Sequence, residues 1–258
     1  MKDLDLRNVA YTEEYAEYIQ SFEWVLKTVP CILRKNSDLE SYYWDSSAKT
    51  NDTKLCVLGN NEYFIFVEML AEGSKIVKNF LLHLWKVRIS IKDKENNILF
   101  EEETFTEDEL NILKLIKHKN GSDYIVYRKS LYGYSVFSVA EKRSIDYVPK
   151  ESFNNKGETF IWCILHYCET NNVLAVDGCY WACPYDFEFY DFTNPMEVPL
   201  PFYVSTYDII NSDEKYLRDG EIAFTEKGEV ILTIEDIHNK EKENIIIDVT
   251  KMKTFPIL

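Results

Sequence analysis

Hydrophobic and polar positions along the chain follow two rhythms. Tyr11, Tyr15, Tyr18, Ile19, Phe22 and Leu26 recur at helical spacing as one apolar stripe that Pro30 ends, so the first thirty residues read as a helix. The same period predicts a second helix from Ser74 to Trp85, with Ile76, Val77, Phe80, Leu81 and Leu84 along one side. A third is predicted after Thr106: with Glu109 three residues later it makes a capping box ahead of Leu110, Leu113 and Ile116, and Asn120-Gly121 supplies a stop.

Elsewhere the rhythm shortens to β-rich runs between polar turns. Strands are expected over Leu55–Leu58, Tyr63–Glu68, Lys86–Ile91, Ile98–Glu103, Tyr124–Arg128, Tyr134–Val139, Ser144–Val148, Phe160–Tyr167, Val173–Asp177, Phe187–Phe192, Phe202–Thr206, Glu221–Thr225, Val230–Glu235 and Asn244–Val249. The expected class is mainly β with helices in the N-terminal half (α+β), built as an antiparallel meander, an irregular β-propeller-like array or a sandwich. At 258 residues the chain is expected to be a single domain, with a helical segment over 1–30 and β-rich repeats over about 121–250. The repeats show as a weak recurrence, Tyr124–Val148, Phe160–Phe192 and Glu221–Val249, each carrying an aspartate (Asp146, Asp191, Asp248) near its end. In the central copy Phe160–Tyr167 is apolar on both alternating faces, which predicts a strand covered on both sides.

Charge then narrows the function. Lys and Arg number 29 against 44 Asp and Glu, a net charge of −15, which repels nucleic-acid backbones and anionic membranes and attracts a basic protein partner. The residues from Met1 to Leu6 lack the basic and apolar stretches of an export signal, and no apolar run approaches the roughly 20 residues that span a bilayer. A cytoplasmic protein is expected, with its six cysteines as thiols.

Composition departs furthest from average over Val173–Leu200, where Val-Asp-Gly-Cys-Tyr-Trp-Ala-Cys-Pro-Tyr-Asp-Phe-Glu-Phe-Tyr-Asp packs rings, acids and proline together. Residues 158–200 resemble a segment of uncharacterised bacterial and fungal proteins and are similar to a WD40-type blade in their strand–turn–strand order. The resemblance implies a blade-like fold and no assigned activity. The Gly-His and Trp-Asp dipeptides of that repeat are missing from the segment, and the chain's one Trp-Asp, Trp44-Asp45, lies outside it.

Read residue by residue, Cys179–Asp186 is a stiff, ring-bearing connection between two strands, and Tyr180, Trp181 and Tyr185 with Asp186 and Glu188 form the expected binding surface. Cys163, His166, Cys168, Cys179 and Cys183 cluster in sequence, yet their C-x4-C and C-x3-C spacings depart from zinc knuckles; buried apolar thiols explain them as well, and no cofactor is expected. Phosphate-binding glycine loops and H-E-x-x-H are absent. The expected function is therefore an acidic, non-catalytic binding protein, of inhibitor or immunity type, for a basic protein. The alternative is a hydrolase near residues 163–191, using a Cys/His metal centre or paired carboxylates among Asp177, Asp186, Glu188 and Asp191.

Overall fold

Alternation with period two dominates the chain far more widely than the sequence predicts. The structure, a computed structural model, describes residues 43–46, 54–59, 61–77, 80–106, 110–129, 131–149, 160–180, 185–210, 215–236 and 240–251. The helix expected over the first thirty residues lies outside them. Among the described residues the architecture is almost entirely antiparallel β, in open sheets.

The first sheet holds β1 (Tyr43–Asp45), β2 (Lys54–Leu58), β3 (Tyr63–Val77), β4 (Phe80–Asp93) and β5 (Ile98–Thr106); β3 pairs with β1, β2 and β4, and β5 is outermost beyond β4. A second sheet runs in order through β6 (Asn111–Lys117), β7 (Asp123–Arg128), β8 (Tyr134–Ser138) and β9 (Arg143–Tyr147). A third does so through β10 (Ile161–Cys168), β11 (Val173–Cys179), β12 (Tyr185–Asp191) and β13 (Phe202–Ser205). The last holds β14 (Lys215–Phe224), β15 (Val230–Asp236) and β16 (Lys242–Ile247). Each copy of the sequence recurrence is a three-strand meander, β7–β9, β10–β12 and β14–β16.

The expectation of helices in the N-terminal half is corrected in both places where it can be examined. Residues 74–85 form the end of the β3–β4 hairpin, where Ser74 pairs with His83, Ile76 with Leu81 and Val77 with Phe80. A dense apolar run satisfies both the helical and the alternating template, and strand pairing decides between them. Thr106 ends β5, and its hydroxyl donates to the Lys129 carbonyl oxygen at 2.8 Å. The stripe of the predicted third helix lies on and beside β6, where Leu110 is buried with Ile112 packed against its core, and Ile116 is buried as well. The one α-helix among the described residues is α1 (Thr206–Ile209), where Ser205 and Asp208 form a capping box.

The chain divides into two compact units, residues 1–115 with 125–159 and residues 116–124 with 160–258. In the first, Ile65, Ile89, Ile91, Leu110, Ile125, Tyr127 and Phe137 make the core, each full burial of an aliphatic or phenyl side chain contributing about 1.5–3 kcal/mol. Glu102 faces inward, opposite Ile89, where the buried Lys129 meets its carboxylate. Outward, Arg88 bridges Glu68 at 3.1 Å and Glu103 at 2.8 Å, and Lys86 adds a pair to Glu103 at 2.7 Å. The second unit is centred on Val173, Ala175, Phe187, Phe189, Val204, Val230 and Leu232. Its buried His118 is held at both nitrogens: Nε2 donates to the Phe192 carbonyl oxygen at 2.8 Å and Nδ1 accepts the Asn120 amide at 3.1 Å. Among the described residues no helix is long and apolar enough to cross a membrane.

Candidate functional site

Pairing of β11 with β12 sets which side chains share a face. Gly178 lies opposite Asp186, Val176 opposite Glu188 and Leu174 opposite Tyr190, so Asp186, Glu188 and Tyr190 project from one side. Phe187 and Phe189 project from the other, into the core. Trp162 of β10 pairs with Gly178 and joins the acidic face. Asp177 pairs with Phe187 and belongs to the opposite face, as does Asp191 by alternation. The four acids of the hydrolase alternative are thus split two and two.

Rings frame the acids. Phe160 meets Tyr180 edge-on with centroids 5.4 Å apart, and Tyr190 lies 5.2 Å from Trp162 and 5.6 Å from Phe202. Gly178 makes the first contact possible, because a side chain there would run into the Phe160 ring and the Ile161 carbonyl. Glu188, only 6% exposed, accepts at Oε1 from the Tyr180 hydroxyl at 3.0 Å and at Oε2 from the Tyr190 hydroxyl. Asp186 accepts the Phe187 amide at 2.8 Å and the Tyr207 amide, from α1, at 3.3 Å. The next residue, Asp208, hydrogen-bonds Ser205. Tyr180 is 37% exposed and Tyr207 69%.

Among the described residues no lysine or arginine pairs with Asp186, Glu188 or Asp208, and the electrostatics follow from that. Burial pushes the Glu188 carboxyl up to about 7; the two phenol hydroxyls pull it back and the charges of Asp186 and Asp208 push it further. Burial likewise raises Asp186 to about 6, against the pull of its two amide donors. Burial first, and the Glu188 charge second, lift the Tyr180 phenol well above its usual range.

A stability prediction arises directly. The folded Glu188 carboxyl takes its proton near pH 7, the ordinary one near 4.5. The folded state therefore binds the proton more tightly, and stability falls as pH rises between those values. Glu188→Gln keeps the shape without the charge. It is expected to exceed the native protein in stability by about 2 kcal/mol at about pH 8 and to match it near pH 4.5. Thermal melts at the two pH values read this, and a variant less stable at the higher pH would refute it.

Of the residues singled out from sequence, Tyr180, Asp186 and Glu188 come together. Tyr185 opens β12, paired with Cys179, so it is a strand residue rather than a loop residue. Trp181 and Cys183 lie outside the described residues. Cys168 is in the apolar core, the Cys163 thiol contacts the Ile161 carbonyl at 3.6 Å, and the His166 ring packs on Phe187. Cys179 is half-buried, and among the described residues no group of three His, Cys, Asp or Glu could hold a metal. Tyr190, Tyr207 and Asp208 escaped the sequence reading. Alternation over Tyr185–Asp191 signals the first, and the Ser205-x-x-Asp208 cap signals the helix that brings the others.

No family model matches the chain. A curated relative, an uncharacterized protein of Acanthamoeba polyphaga mimivirus, is 29% identical over 91 residues, covering 31% of this chain and 36% of the relative. The chain's match thus spans about a third of that relative's length, and the relative is viral rather than bacterial or fungal. Among solved structures the chain is similar to HIRA with a TM-score of 0.38 and 13% identity, covering 78% of this chain and 54% of that one. It is also similar to an engineered GH43 glycoside hydrolase, with a TM-score of 0.30 and 10% identity, covering 75% and 39%.

Proposed function

We propose that this chain is an acidic, non-catalytic binding protein that uses the face of Tyr180, Asp186, Glu188 and the neighbouring Tyr207 and Asp208 to recognise a cationic group on a basic protein. The observation that carries the reading is a carboxylate set held together at a cost. Three acids gather beside two exposed phenol rings, one of them buried, with no cation among the described residues to offset them. Within it Asp186 and Glu188 hold their protons more tightly than ordinary carboxyls, and the arrival of a positive charge relieves this. The rings add contact area and attract the cation through their faces. A net charge of −15 would speed the encounter. The hydrolase alternative draws less support, since both Glu188 oxygens are taken up by phenol hydroxyls and Asp177 and Asp191 face away.

Oligolysine, compared with a neutral peptide of equal length, tests the reading by calorimetry at low and high salt. Binding of the cationic peptide alone is expected, weaker at high salt. Because the overall charge attracts any polycation, the deciding comparison is Asp186→Asn with Asp208→Asn, which changes the total charge little. That double variant is expected to bind about tenfold more weakly. Equal binding by native and variant protein, or none by either, removes the reading.

A further inference from the structure

We infer that the Glu188 carboxyl is a proton-operated clasp on Tyr180: ionised, it holds the phenol that leads into the 181–184 connection, and protonated, it releases it. The geometry carries this. As a carboxylate, Glu188 is acceptor-only and serves the Tyr180 hydroxyl at one oxygen and the Tyr190 hydroxyl at the other. A carboxylic acid carries a hydroxyl on one of those oxygens, so the phenol there must turn from donor to acceptor and both charge-assisted bonds become weaker neutral ones. Tyr190 is held between the rings of Trp162 and Phe202. Tyr180 touches Phe160, stands at the end of β11 and is the more exposed of the two, so the loss falls there.

The titratable groups facing Glu188 are Tyr180 from the exit of β11, Asp186 and Tyr190 from β12, and Asp208 from α1. Strands β10 and β13 contribute Trp162 and Phe202. Every charged neighbour among the described residues is acidic, so the field favours the proton, and burial acts in the same direction. The clasp deepens the cation-recognition reading and rests on it for its consequence: the face loses a negative charge and its fixed phenol together, so the affinity for a cation falls as pH falls.

The proton step is measured without any ligand. Protein labelled with 13C-tyrosine, with the Tyr180 signal assigned from Tyr180→Phe, is titrated by NMR from about pH 5.5 to about pH 8.5, bracketing the interval in which a near-neutral carboxyl changes state. The Tyr180 signal is expected to move with a midpoint near 7 in the native protein and to lose that step in Glu188→Gln, where only a smaller movement near 6 from Asp186 remains. Asp186→Asn should lower the midpoint, because it removes a like charge. A Tyr180 signal that is static in the native protein, or moves identically in Glu188→Gln, overturns the inference. A parallel oligolysine titration is expected to show about tenfold stronger binding at the upper pH, and in Glu188→Gln only the smaller change that Asp186, titrating near 6, leaves behind. Oligolysine that binds at no pH overturns the recognition reading and leaves the clasp to be judged by the NMR titration.

Discussion

Lys129→Met should destabilise the first unit by about 3 kcal/mol, the lower end of the range for breaking a buried ion group from one side. Lys129 is 2% exposed. Its ammonium lies 3.0 Å from Asp146 Oδ1 and 3.1 Å from Oδ2 and pairs with Glu102, and the Ser135 hydroxyl donates to the same Asp146 Oδ1 at 2.7 Å. Burial alone would pull the lysine's proton affinity down. The Tyr127 oxygen, Asp146 and Glu102 together outweigh it, so the group stays charged well above the usual lysine range. Methionine keeps the apolar stem and removes the charge, leaving two carboxylates facing each other at the core's margin. Both retain some access to water, which is why the lower end applies. Adding Glu102→Gln and Asp146→Asn to the same chain is expected to restore most of the loss. Urea midpoints of the single and triple variants read both effects. A single variant within about 1 kcal/mol of the native protein would show that the triad behaves like an exposed pair.

Gly178→Ala should cost the second unit about 3 kcal/mol or more, because the crowding atom belongs to the backbone. A Cβ at Gly178 would stand 2.1 Å from the Ile161 carbonyl oxygen and 2.7 Å from the Phe160 ring. Ile161 opens β10, so the strand must shift along its own pairing with β11, and side-chain rotation cannot relieve the overlap. The shift also moves Phe160 away from Tyr180, so weaker oligolysine binding should accompany the lower melting point. Gly121→Ala is the contrast. Its φ of +84° is strained for alanine, yet nothing lies within 4 Å of the added carbon. It should cost only about 1 kcal/mol, the price of a left-handed backbone alone. Similar losses at the two glycines would contradict the steric account.

Much of the strand content was legible because alternation is a local signal. Every strand expected from the sequence falls on an observed one, and each recurrence copy matches a meander. What failed was arbitration between periods in apolar-rich runs. Ile76, Val77, Phe80 and Leu81 fit a helix face as well as a hairpin, and only the partner strand, remote from any local window, decides. Thr106 with Glu109 has the letters of a cap, but its hydroxyl serves a carbonyl 23 residues away. The true cap, Ser205 with Asp208, starts a helix too short to leave a periodic trace. Position within a sheet was equally hidden. Phe160–Tyr167 reads as the most covered strand, whereas β10 lies at the end of its sheet's order and Ile164 is 52% exposed. At the site, the residue types of Tyr180, Asp186 and Glu188 were legible, but not which acids share a face. That followed from the Cys179–Tyr185 register, which places Asp177 on the other side of the sheet.

The inward placement of Glu102 bears on how faithfully β5 finds its place. Glu101 and Glu103 flank it and point to solvent beside Ser90 and Arg88. A slip of one residue would turn both against Val87, Ile89 and Ile91 and take Glu102 away from the ammonium that answers it. The error would bury two naked charges and orphan a third, so it cannot persist as a near-native trap. An outermost strand with the pattern acid–acid–acid, which looks merely soluble, thereby admits a single alignment during folding and gives an intruding strand from another molecule no comfortable match.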